Sequence, residues 1–174
     1  MSTRSLRTAV AAFAVLAVTV AAAPAGAATT RVNVPTVAAK QIERIAARSP
    51  LAIYLPNAFT IHGAHQAFAS AGIAQGSWTI DLAYVRNCNG ANACSMASFS
   101  ALKRKRLFDP ANVTLAKGVP GHFYGLSCGA SCSPAQIHFV REGVLYQFSV
   151  KDPVARPKAA LIALANQAIN YGPR

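Results

Sequence analysis

Acid is what this sequence has least of. Five carboxylates, Glu43, Asp81, Asp109, Glu142 and Asp152, stand against 17 lysines and arginines in 174 residues, a formal charge of +12. A general acid/base pair would have to be gathered from distant positions, and none is visible. Histidine is also scarce. His62 and His65, separated by two residues, lack the helix and the glutamate of a zincin motif and read as exposed loop side chains, while His122 and His138 fall on expected strands. Neither close pair of cysteines has the two-residue spacing of a thioredoxin-like redox motif. No catalytic residue, cofactor or metal site is read from the sequence, and the balance leans away from an enzyme.

A second long apolar run is missing as well. The first runs from Thr8 to Ala23, after Arg4 and Arg7, and ends on the small residues Ala25-Gly26-Ala27, the pattern of a secretory signal peptide cleaved near Ala27. Residues 28–174 then form the expected mature domain, without a transmembrane segment and with a secreted or periplasmic location. No cysteine lies beside the cleavage site to carry a lipid. Without Arg4 and Arg7 the remainder holds 15 basic and five acidic residues, a charge of +10 that favours anionic surfaces.

What is present is a sheet pattern. Gln136 to Arg141 and Val144 to Lys151 flank Glu142-Gly143, a hairpin turn signal. A two-residue loop pairs Phe139 with Tyr146 and Ile137 with Phe148 on one face, leaving Gln136, His138, Gln147 and Ser149 on the other. Trp78, Ile80, Leu82 and Tyr84 alternate with Thr79, Asp81 and Ala83, the period of a half-buried strand. Ser95 to Lys105, Val113 to Ala116 and His122 to Leu126 are further strands, the last two separated by a Gly118-Val119-Pro120-Gly121 turn. Leu51 to Leu55 reads as a buried or edge strand, and Asn57 to Gly76 as a long connection with room for a helical turn over Gln66 to Ala71.

The ends read as helices. After an extended, frayed Ala28 to Pro35, Thr36 caps a helix running toward Ser49 with Ala38, Ile42, Ile45 and Ala46 on one side. Pro157 opens another, whose Leu161, Leu164, Ala165, Ala168 and Ile169 form one apolar stripe, stopped by Gly172-Pro173. The expected fold is α+β: a single antiparallel β-sheet of five to seven strands packed against N-terminal and C-terminal helices.

Cys88, Cys94, Cys128 and Cys132 allow three pairings. Two local bridges are expected, Cys88 with Cys94 and Cys128 with Cys132, each stabilising by about 2 kcal/mol. A bridge across the two loops would give about 4 kcal/mol but needs the loops to meet. Gly125-Leu126-Ser127-Cys128-Gly129 matches the nucleophile-elbow string. The chain beyond it continues as a strand where that motif needs a helix, and His138 precedes Asp152 where the triad order needs it later. A small secreted hydrolase using Ser127, Ser131 and His138 is one alternative function, and a carrier of an apolar ligand is the other.

Lys103-Arg104-Lys105-Arg106 is the single charge run, and these four residues are the candidate anion-binding site. Strand alternation would split them between two faces, whereas a strand ending before Phe108-Asp109-Pro110 would let them converge. No aromatics interleave the run as a nucleic-acid stacking platform requires, so the expected partner is an anionic envelope component, lipid headgroup or acidic polysaccharide, rather than a specific nucleic acid.

The strings Cys88-Asn-Gly-Ala-Asn-Ala-Cys94, Cys128-Gly-Ala-Ser-Cys-Ser-Pro134 and Ala165-Asn-Gln-Ala-Ile169 resemble a group of exported bacterial proteins to which no activity is assigned, over about Leu51 to Gly172. The closing hairpin and helix also resemble the C-terminal part of small envelope domains in which a curved antiparallel sheet is covered by helices, some of them lipid or protein binders. The resemblance implies a compartment and a fold but no site residues. A non-enzymatic exported binding or interaction module with a basic surface is the leading functional expectation.

Overall fold

A computed structural model of the chain describes residues 28–63, 65–88, 91, 93–129 and 132–174. The expected signal peptide, residues 1–27, lies outside these. Strand β1 (Thr29–Asn33) pairs antiparallel with β2 (Ala58–His62), Val32 opposite Phe59. The frayed segment expected at Ala28 to Pro35 is therefore corrected to a paired strand that buries Val32. Its partner lies in the stretch expected to be a connection, and a ladder partner about thirty residues away leaves no local signature.

Asn33, rather than Thr36, caps the first helix: its side-chain oxygen accepts the Thr36 N–H at 3.0 Å. Helix α1 (Val34–Val37) breaks at Ala38, and α2 (Ala39–Ala46) follows, stopping short of Ser49. Ala38 and Ile45 are buried and Ile42 packs on the core, whereas Ala46 faces solvent. Leu51 to Leu55 joins no ladder, a second correction. Leu51, Ile53, Tyr54 and Leu55 are all buried, and their backbone is tied by other partners. The Tyr146 hydroxyl donates to Ala52 O at 2.9 Å, and Arg174 N–H donates to Ile53 O at 3.1 Å.

The main sheet has seven antiparallel strands. In chain order they are β3 (Phe68–Ala74), β4 (Ser77–Ala83), β5 (Ser95–Lys103), β6 (Val113–Thr114), β7 (Pro120–Tyr124), β10 (Gln136–Arg141) and β11 (Val144–Val150). Two-residue strands β8 (Ser127–Cys128) and β9 (Cys132–Ser133) make a separate ribbon. The spatial order is β3-β4-β5-β11-β10-β7-β6. Strand β3 occupies the stretch expected to be connection and helical turn. Its Ala, Ser and Gly carry little strand preference, and the Gln75-Gly76 hairpin to β4 fixes its pairing instead. The closing hairpin has the expected register, Phe139 opposite Tyr146 and Ile137 opposite Phe148. Between β6 and β7, Ala116–Gly118 forms one 3₁₀ turn and Pro120 already belongs to β7, so the reversal comes earlier than the expected turn at 118–121.

One face of this sheet is the core. Trp78, Ala101, Tyr146 and Phe139 lie side by side across four strands, with Ile80, Phe99, Phe148 and Ile137 as the next row. Helix α3 (Pro157–Tyr171) buries the five expected stripe residues, packing against β10 and β11. Tyr54 meets Tyr146 edge-on at 5.1 Å, filling the space between sheet and cover. On the opposite face the connection 104–112 crosses from β5 to β6 over β11 and β10. It is held there by Phe108 against His138 and by Asp109 accepting the Tyr124 hydroxyl.

Candidate anion-binding site

The basic run is built into the end of the sheet. Strand β5 ends at Lys103, and the chain continues between two hairpin turns: Lys103 N–H donates to Gly76 O at 2.8 Å and Arg104 N–H to Gly143 O at 3.1 Å. Both glycines have left-handed backbones, φ +73° and +75°. At either one a β-carbon would be strained in that conformation and would stand against a lysine stem, Lys103 at Gly76 and Lys105 at Gly143. Strand alternation is thus abandoned after Lys103, and the remaining cations of the run sit on a loop.

Lys103, Arg104 and Lys105 line a cleft of about 530 Å³ together with Pro50, Leu51, Ala52 and the Glu142-Gly143 turn. A second cleft of about 520 Å³ shares Pro50, Leu51 and Lys103 and adds Arg48, Ser49 and the Gln75-Gly76 turn. Glu142 is the one carboxylate among these walls, and it accepts the Tyr54 hydroxyl at 3.1 Å. Burial, followed by opposing influences of Arg141 and Glu142, raises the Tyr54 hydroxyl above its ordinary pKa, keeping it a donor. Arg104 is braced twice, its Nε donating to Arg106 O at 3.0 Å and its guanidinium lying 4.1 Å above the Phe108 ring. Arg106 is exposed and does not line either cleft. Sequence reading missed Arg48, which the turn after α2 brings to the site, although the Gln75-Gly76 turn signal was there to be read.

The four cysteines form the two local disulfides, Cys88–Cys94 and Cys128–Cys132. Ser127 is exposed on β8, and the hydrogen bond described for His138 goes to Gln136, so this pair makes no nucleophile–base contact. Ser131 lies outside the described residues. An apolar cleft of about 640 Å³ lies beside the second disulfide, lined by Leu126, Pro134, Val150 and Pro153 among others. It reaches from Val150 of β11 to Pro157 at the start of α3, and a neighbouring cleft of about 410 Å³ is lined by Phe59 and Thr60 of β2, Val150, and Ala160, Ala163 and Leu164 of α3, so apolar clefts do lie where strands meet that helix. Among the described residues no three His, Cys, Asp or Glu side chains are grouped to hold a metal.

His138 is the histidine that departs from expectation. It is 5 % exposed, beneath Phe108 and beside Tyr124 (ring centroids 4.5 Å), with Nε2 donating to Gln136 Oε1 at 2.9 Å and Nδ1 buried without a described partner. The connection that bears the basic run buries it. Loss of hydration, with nearby His122 adding and Asp109 opposing, lowers its pKa from 6.5 to about 4. Above pH 6.5 folded and unfolded chains are both neutral here. Below it the unfolded chain takes up a proton that the folded one refuses until about pH 4, so stability falls across that window. The loss between pH 7 and pH 5 is about 2 kcal/mol. Urea unfolding of the parent and of His138→Gln at both values checks this: the variant lacks that component, and an identical pH dependence would contradict it.

These features define an α+β protein with a seven-stranded antiparallel sheet, two disulfides and a cationic cleft at one end of the sheet. No protein-family model, curated protein or solved structure matches the chain.

Proposed function

We propose that this protein is an exported, non-enzymatic binding module whose basic cleft takes up an anionic component of the cell envelope or extracellular space. The observation that carries the reading is that Lys103, Arg104 and Lys105 all line one cleft, their backbone tied to two hairpin turns, with a single carboxylate that is already hydrogen-bonded. Export is supported by the leader pattern of residues 1–27 and by the two disulfides, which persist in oxidising compartments. No helix among the described residues is long and apolar enough to cross a membrane.

Replacing Lys103, Arg104, Lys105 and Arg106 together by Gln tests it. Each cation near an anionic surface contributes about 1 kcal/mol, so loss of the three that line the cleft should cost the variant about 3 kcal/mol, on the order of a hundredfold in affinity for phosphatidylglycerol vesicles or an acidic glycan at low salt. Raising ionic strength from about 0.01 to 0.1 M shortens the screening length from about 30 to 10 Å and should weaken the parent alone. The melting temperature should stay close to the parent's, because exposed substitutions usually cost within about 0.5 kcal/mol. A folded variant that binds as tightly as the parent overturns the reading.

A further inference from the structure

Resting on that reading, we infer that the anionic partner is a linear acidic polysaccharide lying lengthwise across the end of the sheet, in a trough made by the two joined clefts. The trough runs from the Gln75-Gly76 turn to the Glu142-Gly143 turn. Their hairpins, β3-β4 and β11-β10, stand on either side of β5, so the turn centres are three strand spacings apart, roughly 14 Å. Arg48 belongs to one cleft, Arg104 and Lys105 to the other, and Lys103 to both. Charge is therefore distributed along a line rather than gathered at a point, which suits repeating anions better than one headgroup.

The walls also fit a sugar chain. Ser49 and Gln75 add neutral hydrogen-bonding groups for hydroxyls, while Pro50 and Ala52 offer apolar surface to ring carbons. A bilayer is flat and meets only the rim of a concave trough. A nucleic acid would lack base-stacking partners, since none of the residues lining either cleft is aromatic.

Calorimetric titration with oligogalacturonates from the disaccharide to the octasaccharide, against phosphatidylglycerol vesicles and a single-stranded oligonucleotide, decides it. Affinity should rise at least about tenfold with chain length and then level off once the trough is spanned, as linked contacts add. Arg48→Gln, at one end, should abolish most of that rise. Length-independent affinity, or tighter binding to vesicles or oligonucleotide than to the longer sugars, overturns the polysaccharide assignment. If those other anions still lose affinity in the fourfold Gln variant, the broader anion-binding reading survives it. Binding of no anionic probe by the folded parent overturns both.

Discussion

Leu161→Asp should abolish cooperative folding near room temperature. Leu161 is fully buried on the face of α3 that packs on β10 and β11, alongside Leu164, Ala165, Ala168 and Ile169. No cation shares that stripe, so an aspartate there must either stay charged without a partner or bind a proton at a large cost in pKa. Breaking a buried site in this way costs on the order of 4 kcal/mol or more, on top of the lost leucine burial, against a total stability of roughly 5 to 15 kcal/mol. Leu161→Ala, which leaves only a cavity, should cost about 2 to 5 kcal/mol and remain folded. Thermal unfolding followed by circular dichroism separates the two, and an unchanged melting temperature in the aspartate variant would refute the packing of α3.

Tyr146→Ala is the second large effect expected. The ring stacks on Phe139 at 5.3 Å, meets Tyr54 edge-on and lies 6.3 Å from Trp78, while its hydroxyl secures the carbonyl of Ala52. It therefore joins the sheet to the irregular segment 51–55, one wall of the basic trough. Removing the ring should cost about 3 to 5 kcal/mol, and removing only the hydroxyl in Tyr146→Phe about 1 kcal/mol. Because Pro50 to Ala52 lines the cleft, the Phe variant should also weaken anion binding at temperatures where it is fully folded. Denaturant unfolding and binding measured on the same preparation check both parts. Equal losses for Ala and Phe would show that the ring does not contribute as packing.

The contrast between β11 and β3 shows what the sequence could and could not disclose. Tyr146 to Val150 alternates large apolar with polar side chains close to an unmistakable turn, so its register could be read from pattern alone. Phe68 to Ala74 is mostly alanine, serine and glycine, and only its long ladder to β4 makes it a strand. Leu51 to Leu55 misled in the opposite way. Its hydrophobicity is that of a buried strand, but what buries it is the aromatic face of the sheet, with side-chain and terminal groups satisfying its backbone. The stripe of α3 was fully legible because a helical period survives without knowledge of the partner.

The site divides along the same line. That Lys103 to Arg106 is cationic and close to a strand end is sequence information. That two glycine turns grip its backbone, that Arg48 comes from another element to join it, and that Phe108 props Arg104 from the far side are consequences of tertiary placement. His138 is hidden for the same reason: a histidine on the polar face of a strand reads as exposed until a connection from elsewhere covers it.

Nuclear magnetic resonance of the isotope-labelled protein, titrated with an acidic oligosaccharide at low ionic strength, addresses the anion-binding claim most directly. The amide signals of Gly76, Lys103, Arg104 and Gly143, which sit in the walls of the trough, should shift first and furthest. They should return toward their free positions as salt is added, because exposed charges are screened over about 8 Å at physiological ionic strength. Largest shifts at Leu126, Val150 and the neighbours of Pro153 in the apolar groove, or small shifts scattered over the surface, would contradict it.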